Sequence, residues 1–371
     1  MGDLSTLAKM AITLAMASPL VLPGEPARLG VALVPPGLTS DQLAGQRVVY
    51  SYPGLTPPAS LLDAIGSGRA AGVIFFGENI SSPAQVGAVI GRLEQAAARS
   101  PVQAPLLLMT DQEGGTVRRL PGAPELSAKQ IGQSADRVAK AEQAGTGADR
   151  NLSGVGMNVN LAPVLDVYRH TGDFLDQAGR SYSSDPAVVS ELGKTFVAAQ
   201  QTAGAAATIK HFPGLGSADR DADTDTGPVT LPVDLSTLRS VDEAPYPATI
   251  AAGAKLAMVS WAIYPALDGQ RPAGLSPTVV GGELRGRLGF TGVTVTDALE
   301  AEALRTFGPT AQRAVLAAEA GMDLILCSAR DANQGAAARI ALAGALDSGQ
   351  LGRADFQAAA DRVLALRETL H

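Results

Sequence analysis

From residue 40 onward the chain alternates between two patterns. Short apolar runs lie at 47–52, 72–76, 105–110, 157–161, 206–209, 255–260, 291–296 and 322–327. Between them stand longer, alanine-rich stretches with apolar positions at helical spacing, among them 82–100, 130–154, 187–203, 276–288, 310–320 and 335–348. Apolar runs of this length that do not alternate with polar residues are the mark of parallel strands buried on both faces. Eight such runs separated by helical stretches predict an α/β protein with a TIM-type (β/α)8 barrel, a doubly wound open sheet being the alternative. A last helical pattern at 353–370 is expected to close the structure. No internal repeat beyond this alternation and no low-complexity segment is present.

A barrel carries its chemistry at the C-terminal ends of its strands, so polar side chains should gather immediately after the runs. They do. The run at 105–110 leads into Asp111-Gln-Glu-Gly-Gly115, then Arg118 and Arg119. The run at 157–161 leads into Ala162-Pro-Val-Leu-Asp166, and that at 206–209 into Lys210 and His211 before a sharp Phe212-Pro-Gly-Leu-Gly216 turn. Trp261, the only tryptophan, follows the run at 255–260, and Asp297 follows that at 291–296, with Glu300 and Glu302 behind it. The N-terminal ends of the runs show no comparable charge. Past Gly216, Asp219, Asp221, Asp223 and Asp225 crowd a short loop together with Thr224 and Thr226. That loop reads either as a solvated linker, since such residues are ordinary in turns, or as a mobile supplier of an acid.

Composition narrows the chemistry. The 371 residues are 46% hydrophobic, enough for a large core, and a barrel of this length commonly stays one domain. A net charge of −7, spread without a basic face, and an aromatic content of 4% exclude a nucleic-acid footprint and base-stacking platforms. One cysteine, Cys327, and three histidines exclude a disulfide framework and argue against a metal centre. Carboxylates among Arg, Lys and His, without a glycine-rich phosphate loop, suit a small polyhydroxylated ligand whose hydroxyls need both donors and acceptors. Asp297, on a rigid strand end between apolar Val295 and Ala298, suits the nucleophile of a retaining glycosidase. The acid that protonates the leaving oxygen would then come from the acidic loop. His211 is expected to orient a substrate hydroxyl beside Lys210.

Each of these residues also has a plainer reading. Asp297 would make an ordinary N-cap for a helix over 298–306. Asp111 and Arg119 would make an ion pair at the barrel rim, Arg180 would pair with Asp185, and Asp166 reads as a structural rim residue. Glu300 and Glu302 read as a solvated helix face. Trp261 reads as core or as a stacking wall for a sugar ring, and the wall is the reading preferred here.

The first 37 residues stand apart. Residues 10–22 are apolar, preceded by Lys9 and followed by a Pro/Gly-rich connector, and Ala15-Met-Ala-Ser18 offers small residues of the kind signal peptidase accepts. This run is too short to span a bilayer. It reads either as an export signal, giving an exported or envelope protein, or as a first helix or tail of a cytoplasmic one. The catalytic barrel is expected over 38–371, as a monomer.

Several ordered motifs, together covering the chain from about residue 38 to its end, resemble glycoside hydrolase family 3. They are Asp111-Gln-Glu-Gly-Gly115 with Arg119, Asn160-Leu-Ala-Pro-Val-Leu-Asp166, Gly179-Arg-Ser-Tyr182 with Asp185-Pro186, and Lys210-His-Phe-Pro-Gly214. Tyr264-Pro-Ala-Leu-Asp268, Leu275-Ser-Pro277 and Gly289-Phe-Thr-Gly-Val-Thr-Val-Thr-Asp-Ala-Leu299 complete the set. The likeness is closest to the single-domain bacterial β-N-acetylglucosaminidases of cell-wall recycling. It implies a retaining hydrolase of terminal β-linked N-acetylglucosamine, acting on muropeptide or chitin-derived oligosaccharides, with Asp297 as nucleophile. It implies further that Asp111, Arg119, Arg180, Lys210 and His211 hold the non-reducing sugar, and that no metal or cofactor takes part.

Two departures from that pattern stand out. Such enzymes normally carry an Asp-Ser-His triplet in the loop after the Lys-His-Phe-Pro-Gly turn, its histidine being the acid/base. Here the place is taken by Asp223-Thr-Asp-Thr226, and the turn reads Gly-Leu-Gly where Gly-His-Gly is usual. Trp261 stands where a histidine often follows the sixth strand. Asp225 or Asp223 is therefore expected to serve as the acid, its pKa raised in a desolvated site. The alternatives are a β-glucosidase-like enzyme and a weak or silent sugar-binding relative.

Overall fold

The computed structural model describes residues 37–370. Except for Gly37, the N-terminal segment lies outside the described residues, and the signal-peptide reading with it. Eight parallel strands build the main sheet. They are β1 (Val48–Tyr50), β2 (Gly72–Ile74), β3 (Leu107–Thr110), β4 (Val159–Asn160), β5 (Ala206–Phe212), β6 (Leu256–Val259), β7 (Val293–Thr296) and β8 (Ile325–Leu326). The hydrogen-bonded order is β8-β1-β2-β3-β4-β5-β6-β7. A parallel bridge between Val295 and Leu324 joins β7 to the residue leading into β8, which completes the ring.

The apolar runs are continuous because both faces of every strand are covered. Val49, Ile74, Leu107, Met109, Val159, Leu256, Met258, Val293, Val295 and Leu326 pack in the barrel interior. Their neighbours Val48, Tyr50, Val73, Leu108, Ala207, Ile209, Ala257, Val259 and Ile325 pack in the layer shared with the surrounding helices. Val363 and Leu366 of the last helix, Arg353–Glu368, join the interior cluster. Arg367 of that helix donates to the carbonyls of Ala104 and Pro105, just ahead of β3, so the helix stops the N-terminal mouth of the barrel.

That mouth is not free of charge, as the run ends suggested. Asp323, ahead of β8 and fully buried, accepts from Arg285 at 2.5 Å and from a fork of Arg362 at 2.8 and 3.0 Å. Arg47, ahead of β1, is buried and donates to the carbonyls of Met322 and Asp323. These charges are spent on one another, which distinguishes them from the groups at the opposite end.

Elsewhere the expected elements shift in instructive ways. The pattern at 130–154 breaks into Ala128–Gly132 and Arg137–Ser153. The segment Thr278–Arg287 is wound as a π-helix. No helix begins at Asp297. Its carboxylate accepts from the adjacent Ala298 amide at 2.8 Å, and the next helical turn, Glu302–Phe307, is of 3-10 type and starts five residues on. The N-cap reading of Asp297 therefore lapses.

Candidate active site

After β3 the chain folds into a small hairpin, Gln112–Gly114 against Val117–Arg118. Gly114 turns it with φ of 115°, at a place where a Cβ would lie 2.3 Å from the Leu126 carbonyl. Gln112 is fully buried and clamps the hairpin. Its Oε1 accepts from the amides of Arg119 and Leu120, and its Nε2 donates to the carbonyls of Leu120 and Ala123. Asp111 and Glu113 are thereby held beside the end of β5. Lys210, only 2% exposed, places Nζ 2.8 Å from Asp111 and 2.7 Å from Glu113. Arg180 forks onto Glu113 at 2.9 and 2.8 Å, and Arg119 stands 3.6 Å from Asp111. Burial opposes the charge on Glu113, but Arg180 and Lys210 together hold its carboxyl well below the usual range. Burial pulls the Lys210 pKa down, but the charges of Asp111 and then Glu113 lift it above its ordinary value.

β5 itself runs two residues past Lys210, to Phe212, and its pairing with β6 shifts register between Ile209 and Phe212. Such an irregularity re-aims side chains, and here both Lys210 and His211 reach the cleft. His211 Nδ1 lies 2.7 Å from Asp166 Oδ2. With the ring proton on Nδ1, its Nε2 is left as an acceptor towards Arg180, 3.5 Å away. Asp166 is fully buried and also accepts from the Leu215 amide at 2.6 Å, so it ties the end of β5 to the turn that follows. That turn passes flush against the loop after β4, where a Cβ on Gly216 would lie 1.9 Å from the Val167 carbonyl.

The acidic loop is pinned rather than mobile. The Ala218 carbonyl accepts from Phe174, and Gln177 donates to the Arg220 carbonyl. At its tip, Thr224 accepts from the Ala303 amide at 3.1 Å and Asp225 from the Glu302 amide at 3.2 Å. Those two backbone bonds dock the tip on the segment that follows Asp297. The two aspartates differ. Asp223 uses a carboxylate oxygen to accept from the Asp225 amide at 2.9 Å and so shapes the turn. The Asp225 carboxyl has no protein donor among the described residues. Although the residue as a whole is exposed, partial burial of its carboxyl raises its pKa. The charges of Asp297, Asp223 and Glu300 raise it further, to about 6, against a small opposing effect of His211.

One cleft of about 510 Å³ opens at the C-terminal end of the strands, with Glu113 and Asp166 buried behind its lining. It brings together Asp111, Arg119, Arg180, Lys210, His211, Asp223, Asp225 and Asp297. A ring of donors and acceptors for hydroxyls lies on the side of β3 to β5. On the side of β7 lies the strand-end carboxylate of Asp297, and Asp225, whose pKa is raised, lines the same cleft.

Comparison with known proteins agrees with this arrangement. The model of the glycosyl hydrolase family 3 N-terminal domain matches residues 45–366. The chain belongs to glycosyl hydrolase family 3. Among its relatives is a protein of Arthroderma benhamiae described as an uncharacterized secreted glycosyl hydrolase. The two are 45% identical over 88% of this chain and 93% of the other. A family 3 β-N-acetylglucosaminidase from Paenibacillus superposes with a TM-score of 0.84 at 35% identity, over 90% of this chain and 63% of that longer one. A β-N-acetylhexosaminidase from Beutenbergia cavernae gives 0.80 at 33% identity, over 89% and 98%.

Within this family 3 barrel several expectations change. Trp261 is not a stacking wall. It is 1% exposed and does not line the cleft; Gly274 lies flush against its ring, and its Nε1 donates to the Ala298 carbonyl at 2.8 Å. A buried indole needs a partner for its N–H, and this one finds it beside Asp297. Glu302 is exposed, as expected, but Glu300 lines the cleft and accepts from Ser328 and Gln334. Arg180 pairs with Glu113, while Asp185 caps the helix Pro186–Ala203. Asp166 is a buried support for His211 rather than a rim residue. Glu113 was not singled out from the sequence, although it stands in the Asp111-Gln-Glu-Gly-Gly115 motif. The signal was there: two buried cations, Lys210 and Arg180, need more than the one carboxylate of Asp111.

No helix among the described residues is long and apolar enough to cross a membrane.

Proposed function

We propose that this glycosidase releases terminal β-linked N-acetylglucosamine, with retention of configuration, from muropeptide or chitin-derived oligosaccharides. Asp111, Arg119, Arg180, Lys210 and His211 hold the non-reducing sugar, with Glu113 behind them pairing Lys210 and Arg180. Asp297 attacks the anomeric carbon while Asp225 protonates the departing oxygen, forming a glycosyl ester on Asp297. Asp225 then takes a proton from the water that cleaves that ester. The acid/base cycle needs a carboxyl that is protonated at the start yet able to ionise in the next half-reaction, and a pKa near the working pH serves both.

The observation that carries this reading is the docking of the Asp225 tip on the segment after Asp297, with its carboxyl raised to about 6. The missing loop histidine is then replaced in function by a carboxyl on the same loop. Asp223 is occupied in shaping the turn, which favours Asp225 as the acid.

The test is hydrolysis of aryl β-N-acetylglucosaminide beside aryl β-glucoside across pH. The expected result is a clear preference for the acetamido sugar, with kcat/KM falling as pH rises through about 6 because the acid form of Asp225 is lost. A preference for the glucoside moves the protein to the β-glucosidase-like reading. Measurable sugar binding with no release from either substrate removes the catalytic one.

A further inference from the structure

Glu300 lines the cleft three residues after Asp297, and the reaction described above gives it no task. Its carboxylate is braced by the segment after β8. Ser328 Oγ donates to one oxygen at 2.8 Å, and Gln334 Nε2 and the Ser328 amide donate to the other at 3.0 and 3.3 Å. Ser328 and Gln334 are both buried. Gln334 is held the right way round, because its Oε1 accepts from the Ala329 amide at 2.9 Å. Glu300 is the acceptor in every one of these bonds, so the brace fixes a negative charge in place.

The segment that carries this charge also holds the acid. Asp297 opens it, Glu300 lies within it, and its Glu302 and Ala303 amides donate to the carbonyls of Asp225 and Thr224. A charge fixed on that segment keeps a constant relation to the loop tip docked there. After the burial of its own carboxyl, the neighbours that raise the pKa of Asp225 are Asp297, Asp223 and Glu300, and His211 of β5 opposes them. The cations of the cleft are engaged elsewhere: Lys210, Arg180 and Arg119 with Asp111 and Glu113, and Arg330 with Glu78. Arg313, on the helix Thr310–Glu319, feels the charges of Glu302 and Glu300 but gives its guanidinium to the carbonyls of Gly308, Leu299 and Ala301.

The three acidic neighbours differ in what the reaction does to them. Asp297 loses its charge when the glycosyl ester forms, and Asp223 is occupied in the turn. The charge on Glu300 stays the same through both half-reactions. We propose that Glu300 is a positioning residue for proton transfer: its braced carboxylate keeps Asp225 in the acid form until the leaving oxygen takes the proton. This inference rests on the reading of Asp225 as the acid. Glu300 acts through Asp225, so its loss changes the pH range over which the enzyme works.

The test is kcat/KM across pH for phenyl β-N-acetylglucosaminide, whose poor leaving group makes the rate depend on the acid. It is measured for the full chain, for E300Q and for the double variant E300Q/Q334E. In E300Q the alkaline limb should move down by about half a pH unit, the order of one neighbouring charge at a partly solvated carboxyl. Activity on the acid side of the profile should stay near that of the wild type. The double variant exchanges amide and carboxylate between the two positions. It keeps the bonds to the Ser328 hydroxyl and the Ala329 amide and the bond between the two side chains, while moving the charge to a residue that does not line the cleft. Its limb should also lie below that of the wild type, and it carries the test if E300Q does not fold. A limb left at the wild-type pH, or a loss equal at every pH, would overturn the inference and make Glu300 a strut between two loops. Asp225→Ala in the same series separates the two readings. Wild-type turnover in that variant removes the acid and this inference together, whereas a large loss there with an unmoved limb in E300Q removes the inference alone.

Discussion

Asp223 and Asp225 are two residues apart and nearly identical in sequence context, yet their surroundings give them different work. One carboxylate accepts from a backbone amide and builds the turn; the other has no protein donor among the described residues and feels the charge of Asp297. The raised pKa of Asp225 also affects stability. Its folded value of about 6 lies above the ordinary value of 3.8, so the folded state holds this proton more tightly. That contribution is fully present below about 3.9 and is lost as pH rises through about 6. Asp225→Asn should therefore melt at a higher temperature than the wild type at pH 7, with the difference vanishing near pH 4. Equal melting temperatures at both pH values would contradict the raised pKa. Glu113 has the opposite sign. Its pKa is depressed, so its contribution is present at neutral pH and survives mild acid. Glu113→Gln leaves Lys210 and Arg180 buried beside a neutral amide, and breaking such pairs costs about 3–5 kcal/mol. Urea unfolding at pH 7 checks this, and a loss below about 1 kcal/mol would place the cluster among ordinary surface pairs.

At the scale of elements, the strands were legible and the devices at their ends were not. Both faces of β1 to β8 are buried, so most of the runs could be read without knowing their neighbours. The register shift in β5 was hidden because Lys210 and His211 look like the end of a strand. They are strand residues whose charge and polarity are met by Asp111, Glu113 and Asp166. The loop after Gly216 looked mobile because its side chains are those of a solvated turn, whereas backbone amides at Glu302 and Ala303 pin it. Side-chain composition carries no record of such bonds. Trp261 was misplaced for a related reason: its solitary position after β6 suggested a wall, but its indole N–H serves the chain beside Asp297 from within the core. Trp261→Phe should lower stability by about 1–3 kcal/mol through lost packing and one lost hydrogen bond. KM for an aryl β-N-acetylglucosaminide should stay unchanged. A raised KM with stability intact would restore the stacking wall.

Across the whole molecule the two ends of the barrel divide the labour. The N-terminal mouth is stopped by the last helix and by Asp323 with its arginines, charges that neutralise one another. The C-terminal mouth keeps its charges open to the cleft, with Asp111, Arg180 and Lys210 on the side of β3 to β5 and the carboxylates between β5 and β7. Family membership was legible in the order of the motifs, of which those at Asp111, Lys210 and Asp297 lie at strand ends of the ring. What had to come from the structure was how a loop leaving β5 docks on the segment following β7 and so brings Asp225 into the cleft that Asp297 lines. The replacement of the missing histidine by Asp225 depends on that span. Its most direct test is the product formed by Asp225→Ala from an activated aryl β-N-acetylglucosaminide in the presence of azide. Without azide, turnover should fall about 100- to 10,000-fold. With it, turnover should recover and yield the β-glycosyl azide, because azide attacks the glycosyl-Asp297 ester from the face that Asp225 has vacated. Wild-type turnover in Asp225→Ala without azide, or recovery as the α-glycosyl azide, would contradict the account.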